Sequence, residues 1–178
     1  MTVLRPSWAM TSDLMREYYD KLWGFPEHDD RMLFEMLCLE CFQAGLSWEI
    51  IWKRRETFEA AFDNFDFNQM AKYDERDLVR LFTDKSIIRN RRKISAVIQN
   101  ARAVQALAER GIGFAQYMWG FVDGEIQVVE MAPGEKLPPY TDLSKKISQQ
   151  MKKDGFAFTG PTTVYSFMTA VGMVNARL

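Results

Sequence analysis

Glu40 is the residue on which chemistry could turn. It stands in a run, Leu33, Phe34, Met36, Leu37, Cys38, Leu39, Cys41 and Phe42, that is apolar on nearly every face of a helix. A carboxylate in such a place must be paired, protonated or turned to a cavity. A salt bridge to a basic residue of a neighbouring helix is the plain structural alternative. Flat side chains gather around it in sequence, with Tyr18, Tyr19 and Trp23 before it and Trp48 after it. Aromatic faces beside a lone carboxylate suit a flat, electron-poor ring, held by stacking and cation–π attraction. They would equally fill a small aromatic core.

Positive charge is the second resource. Lys85, Arg89, Arg91, Arg92 and Lys93 place five cations within nine residues, and Lys145, Lys146, Lys152 and Lys153 precede Gly155. Two basic segments beside glycine turns suit phosphate contacts, although a charge run is more commonly a solvated face. The chain as a whole carries 23 Lys+Arg against 24 Asp+Glu, a net charge of -1, so a nucleic-acid partner must be held by a local patch. Cys38 and Cys41 form a Cys-x-x-Cys pair inside the apolar helix with no second pair, and His28 is the single histidine. Neither a metal nor a cofactor is expected from that set. No glycine-rich phosphate loop, nucleophile elbow or histidine triad is available.

The elements that must position these groups are helices. With 178 residues, 47% hydrophobic and 26% charged, the chain is long and apolar enough for one soluble domain with a buried core over 1–178. It has no signal peptide or long apolar run, so a cytoplasmic location without a membrane span is expected. Helical periodicity dominates from about 12 to 110. Asp29 or Asp30 can cap the Glu40 helix, and Gly45 suits its exit. Ser47 can cap another helix through Ile50, Ile51, Phe58 and Phe62, leaving Ala44-Gly45-Leu46 as a tight turn. Shorter helices are predicted over 68–73 and 75–82, and a long one over 91–110 from the steps of Ile94, Val97, Ile98, Ala101, Val104 and Leu107.

Between 121 and 141 the pattern changes. Asp123-Gly124 is a turn signal and 125–130 a short strand, while Pro133, Gly134, Pro138 and Pro139 prevent regular structure, so this is read as a surface loop joining two lobes. A helix over 142–153 then ends at Asp154-Gly155, and Gly160-Pro161 opens another with the stripe Val164, Phe167, Met168, Val171 and Val174. Two helices around a glycine-bounded hairpin can aim unpaired backbone N–H groups at one phosphate. An ordinary helix pair is the plain alternative.

Taken in order, the motifs Tyr18-Tyr19-Asp20-Lys21-Leu22-Trp23-Gly24-Phe25-Pro26, Leu33 to Glu40 and Gln43-Ala44-Gly45-Leu46-Ser47-Trp48 closely resemble the DNA-3-methyladenine glycosylase I family. The match continues through Ile87 to Ile94, Asn100-Ala101-Arg102, Gly155 to Thr162, Tyr165 to Met168 and Gly172 to Asn175. The resemblance implies an all-α fold of the helix-hairpin-helix glycosylase superfamily, with two helical lobes around a base-binding cleft and the hairpin motif at about 142–174. It further implies an enzyme that hydrolyses the N-glycosidic bond of 3-methyladenine in alkylated double-stranded DNA, leaving an abasic site without a lyase step. Carried over by motif, Glu40 would hydrogen-bond the damaged base, Trp48 would stack on it, and Tyr18 and Trp23 would complete the wall. Gln43, Ala44, Gly45 and Leu46 would enter the gap left by the flipped nucleotide. The turn from Gly155 to Gly160 would hold the backbone, while Arg91, Arg92 and Lys93 contact phosphates. A monomer is expected.

The departures from that family are also informative. Its members usually carry a structural zinc on two cysteines and two histidines. Here Pro6 stands at the first cysteine position, Tyr19 and Arg177 at the two histidine positions, and the chain stops before the last cysteine. This pattern implies a zinc-less branch whose termini dock by packing, with Trp8 as anchor. Met15 stands where many relatives place another pocket tyrosine. Two rival readings are a non-catalytic helix-hairpin-helix protein that senses alkylated or distorted DNA, and a helical protein-interaction module.

Overall fold

A computed structural model describes residues 3–132 and 134–178; Pro133 lies outside the described residues. The all-α expectation holds. Ten α-helices and one two-residue strand pair are described: α1 (Asp13–Lys21), α2 (Asp30–Gln43), α3 (Trp48–Trp52), α4 (Arg55–Ala61), α5 (Phe67–Met70), α6 (Glu75–Thr83), α7 (Arg91–Glu109), α8 (Phe114–Gly120), β1 (Gln127–Val128), α9 (Asp142–Lys153), α10 (Pro161–Ala170) and β2 (Val174–Asn175).

α2 is the central element, as its composition requires. Every residue from Leu33 to Phe42 is buried, and the helix packs against α3, α7, α8 and α10. Asp29 caps it, its carboxylate accepting from the Met32 amide at 2.8 Å. α9 and α10 pack on each other as the predicted helix pair. β1 and β2 run parallel, tying the loop after α8 to the end of the chain through Gln127 N–H to the Met173 carbonyl at 2.9 Å.

Three expectations are corrected. The helix from Ser47 through Phe62 is two helices, because the backbone leaves helical geometry at Arg54 (φ -101°, ψ 9°). The bend buries Ile51 and Trp52 separately from Phe58 and Ala61, and it swings Arg55 onto α2. The helix over 68–73 is shorter, ending at Met70, with Asp66 accepting from the Asn68 and Gln69 amides. Val174 belongs to β2, not to the last helix. Gly172 breaks the chain there at φ +74°, where an added Cβ would lie 2.5 Å from the Phe25 and Pro26 backbone.

Candidate active site

A cavity of about 320 Å³ opens between α1, α2, the start of α3 and α10, at the lower end of the range for small-molecule sites. Glu40 of α2 reaches it, as do Met15 and Tyr18 of α1, Trp23, and Trp48. Local caps set these side chains. Ser12 accepts from the Met15 amide at 3.3 Å and starts α1, while Ser47 accepts from the Ile50 amide at 3.4 Å and makes Trp48 the first residue of α3. The aromatic wall is continuous: Trp8 lies 5.4 Å from Trp23 and 6.2 Å from Tyr18, and Tyr18 lies 5.6 Å from Trp48. Trp52 backs Tyr18 at 4.3 Å. All four predicted base-site residues, Glu40, Tyr18, Trp23 and Trp48, therefore line one cavity.

Sequence reasoning missed several of its neighbours. Trp8, expected only as an anchor, also lines the cavity, and so do Glu49, Ser166 and Thr169. The last two stand three residues apart on α10, a spacing that shares one face, but Thr162, Thr163 and Tyr165 on the same helix gave them no distinction in sequence.

The electrostatics of the cavity are set by Glu40. It is 5% exposed, and among the described residues no hydrogen bond or salt bridge reaches its carboxylate. Burial therefore pushes its pKa up to about 8. The neighbour-helix salt bridge is absent, and Glu40 instead meets the other two conditions together, holding its proton at neutral pH and facing the cavity. Burial, reinforced by the nearby Glu40 charge, also raises the Tyr18 phenol well above its ordinary value. The Trp48 indole N–H is buried with no acceptor. At the rim, hydrogen bonding with Ser12 and the Lys53 ammonium holds Glu49 below the usual carboxylate range. The cavity thus has a neutral carboxyl inside and an ionised one at its edge.

Next to the cavity, Gln43 to Leu46 form a closed turn. The Gln43 side-chain amide donates to the Leu46 carbonyl at 2.6 Å, and the Leu46 amide donates to the Gln43 carbonyl at 2.7 Å. Ala44 and Gly45 sit at its tip, Gly45 exposed at φ +79° with open space around it. Arg91 and Arg92 are exposed at the first turn of α7, with the Arg91 guanidinium 5.0 Å over the Phe82 ring. Lys93 departs from the expectation of a phosphate contact. It is 6% exposed, and its ammonium donates to the Phe42 carbonyl at 2.7 Å and the Ala44 carbonyl at 2.5 Å. Its charge is already engaged inside the protein.

The hairpin between α9 and α10 is held from the same helix. Gly155 takes φ +94° and Gly160 caps α10 with Pro161 in its first turn. Asn100 of α7, fully buried, brackets the turn: its side chain accepts from the Ala157 amide at 2.7 Å and donates to the Ala157 carbonyl at 3.0 Å. The signal for this role was present in the sequence. Lys93 and Asn100 are polar residues seven apart, on the face that Val97 and Val104 bury.

The positions where related chains would hold zinc carry groups that do not fit a metal. The Arg177 guanidinium lies 4.3 Å over the Tyr19 ring and 4.4 Å over Phe25. It donates to the Tyr19 carbonyl at 2.6 Å and to the Trp23 carbonyl, and the Tyr19 hydroxyl accepts from the Leu178 amide at 3.1 Å. Arg5 forms a two-point ion pair with Asp20 at 2.8 Å. Where the resemblance implies two zinc-binding imidazoles, a cation instead lies over an aromatic ring, and among the described residues no cluster of three or more metal-ligating side chains exists.

The methyladenine glycosylase family model matches residues 8–178. The chain is 43% identical over 171 residues to DNA-3-methyladenine glycosylase 1 of Escherichia coli (strain K12), covering 96% of this chain and 91% of that protein. It is 38% identical over 174 residues to the DNA-3-methyladenine glycosylase of Haemophilus influenzae, covering 98% and 94%. A crystal structure of a 3-methyladenine DNA glycosylase I matches with a TM-score of 0.94 at 44% identity, covering 98% of this chain and 96% of that one. The chain belongs to the methyladenine glycosylase family.

Proposed function

We propose that this member of the methyladenine glycosylase family is a monofunctional DNA glycosylase that hydrolyses the N-glycosidic bond of 3-methyladenine in alkylated double-stranded DNA, initiating base excision repair. The observation that carries the reading is an unpaired carboxyl, Glu40, inside an aromatic-walled cavity of about 320 Å³. Methylation at N3 makes adenine cationic and a good leaving group, so the protein need not protonate it, and recognition can supply much of the catalysis. Burial alone keeps Glu40 neutral. A cationic ring beside it favours the ionised form, so the proton leaves and the carboxylate accepts charge-assisted hydrogen bonds from the base. Trp48 stacks on the ring, and Tyr18, Trp23 and Trp8 close the wall. Neutral adenine offers no such compensation, and its intact base pair makes extrusion more costly.

Arg91 and Arg92 grip phosphates, the turn from Gly155 to Gly160 presents backbone N–H groups to the strand, and Gln43 to Leu46 occupy the gap left by the flipped nucleotide. The protein works as a monomer in the cytoplasm; among the described residues no helix is long and apolar enough to cross a membrane. Chromatography of bases released from methylated duplex DNA tests the activity. Free 3-methyladenine in the supernatant is the expected result, and tight binding of methylated DNA with no release would make the chain a damage sensor instead. Replacing Arg91 and Arg92 by alanine should reduce the slope of log affinity against log salt by about 2, at roughly 0.9 per phosphate contact. An unchanged slope would return both residues to the solvated surface.

A further inference from the structure

We propose that Lys93 is a positioning residue for excision: its buried ammonium presets the turn at Gln43 to Leu46, so that the turn can fill the duplex as the damaged base leaves. This rests on the glycosylase reading above and adds a residue that no contact with base or phosphate would reveal. The last carbonyls of a helix have no partner within it, and a cation at that end is favoured by the helix dipole. Lys93 supplies both needs at the end of α2, reaching across 51 and 49 residues of sequence to the Phe42 and Ala44 carbonyls. Burial lowers its pKa, so this charge is held at a cost that a methionine of similar length would avoid. What lysine adds is the fixed position of those two carbonyls.

Those carbonyls flank Gln43, three residues beyond Glu40, and the turn they lead into contains Gly45 at φ +79° with open space around it. The turn closes on itself through Gln43 and Leu46, so where it sits depends on the carbonyls at its base. Lys93 also belongs to the turn of helix that carries Arg91 and Arg92, and the Asn90 side chain caps that turn by accepting from the Lys93 amide at 3.1 Å. Seven residues on, about 10 Å along the axis, Asn100 holds the hairpin by both polar groups of Ala157. One rigid helix therefore spaces the basic end, the gap-filling turn and the hairpin. Phosphates held by Arg91 and by the hairpin then lie at a set distance from the turn.

The test compares Lys93→Met with the wild-type protein in three measurements: single-turnover release of 3-methyladenine from methylated duplex DNA, affinity for free 3-methyladenine by tryptophan fluorescence, and affinity for undamaged duplex. Duplex release is expected to fall at least tenfold, while free-base and duplex affinities change less than threefold. Lys93→Arg, which keeps charge and donors, should recover most of the lost rate. If Lys93→Met does not fold, Lys93→Gln, which is uncharged and whose shorter side chain does not reach both carbonyls, serves as the loss variant with the same expected outcome. Unchanged duplex release overturns the proposal, and so does a parallel loss of free-base affinity, which would make Lys93 a general support of the fold. Wild-type protein that neither releases nor binds the base would overturn the glycosylase reading itself, and this inference with it.

Discussion

Two glutamates on α2, five residues apart and roughly 140° around the helix, meet opposite fates. Glu35 is fully buried, yet Arg31 donates to it at 2.9 Å and Arg55 at 2.7 Å. Burial alone would raise its pKa, but the two guanidinium groups outweigh it and hold the carboxyl below its ordinary range. Glu40 is nearly as buried, receives no donor, and is pushed up to about 8. The difference separates a carboxylate satisfied within the fold from one left unpaired beside a cavity, which is the one proposed to meet the base. Burial of a charged residue type does not mark a site; burial without a partner, beside a cavity, does.

The largest effect that would sharpen this contrast is on stability at the Glu35 end. Glu35→Gln removes the charge that Arg31 and Arg55 share, leaving Arg55 with Glu59 at 3.2 Å and Arg31 with the Asn64 carbonyl at 3.0 Å; losing every partner in a fully buried pair would cost about 3–5 kcal/mol. Partial exposure of both arginines reduces this to about 2–3 kcal/mol. At roughly 2–4 °C per kcal/mol for a chain of this size, the melting temperature should fall by about 5–10 °C, with excision per folded molecule unchanged. A Glu35→Gln protein that melts normally but excises poorly would dissolve the distinction.

The complementary change, Glu40→Gln, should lower single-turnover excision about tenfold to a hundredfold, since a charge-assisted hydrogen bond is worth roughly 1.5–3 kcal/mol. Its melting temperature should hold or rise at pH 8. Trp48→Ala should cost excision a comparable stacking energy of roughly 1–3 kcal/mol. Wild-type rates in either well-folded variant would break the assignment.

The two ends should also answer pH with opposite signs. Between about pH 4.5 and 8 the unfolded chain has released the Glu40 proton while the folded chain keeps it. Stability therefore declines as pH rises through this window, by up to about 1.4 kcal/mol per unit, and Glu40→Gln should remove that decline. Glu35, held low in the folded state, contributes stability above its ordinary pKa that is lost as pH falls through its folded value. Melting temperature against pH for wild type and both variants checks this; parallel curves for wild type and Glu40→Gln would contradict the unpaired carboxyl.

The smallest expected effect lies at the termini. Arg177→Leu removes a cation–π contact worth about 0.5–2 kcal/mol and the donor to the Tyr19 and Trp23 carbonyls, which hold the segment 19–23 at the end of α1. A fall of a few degrees in melting temperature is expected, with free-base affinity weakened because Tyr18 adjoins that segment and Trp23 ends it. Elemental analysis should find no stoichiometric zinc, and a tightly bound zinc whose chelation unfolds the protein would overturn the cation–aromatic substitution.

Much of this was legible in the chain because caps and apolar periodicity are local. Asp29 and Ser47 sit beside the amides they accept from, and the helices over 75–82, 91–110 and 142–153 appear within a residue of those limits. The oddity of Glu40 was likewise a matter of its neighbours in sequence. What stayed hidden depends on groups far apart in the chain. No sequence reading proposed α8, whose second amide is held by Asp30, 85 residues away, while its own N-cap, Gly113, has no side chain to offer. Lys93 looked like one cation of a basic run until Phe42 and Ala44 came within reach. Glu35 and Glu40 are the same residue type in the same apolar helix, and the bend at Arg54 that delivers Arg55 to one of them is a tertiary event. Sequence alone thus determined most of the helical segments and that a carboxyl was misplaced among apolar residues; only the tertiary structure decided which charges were satisfied, because the partner that satisfies a buried charge comes from elsewhere in the fold.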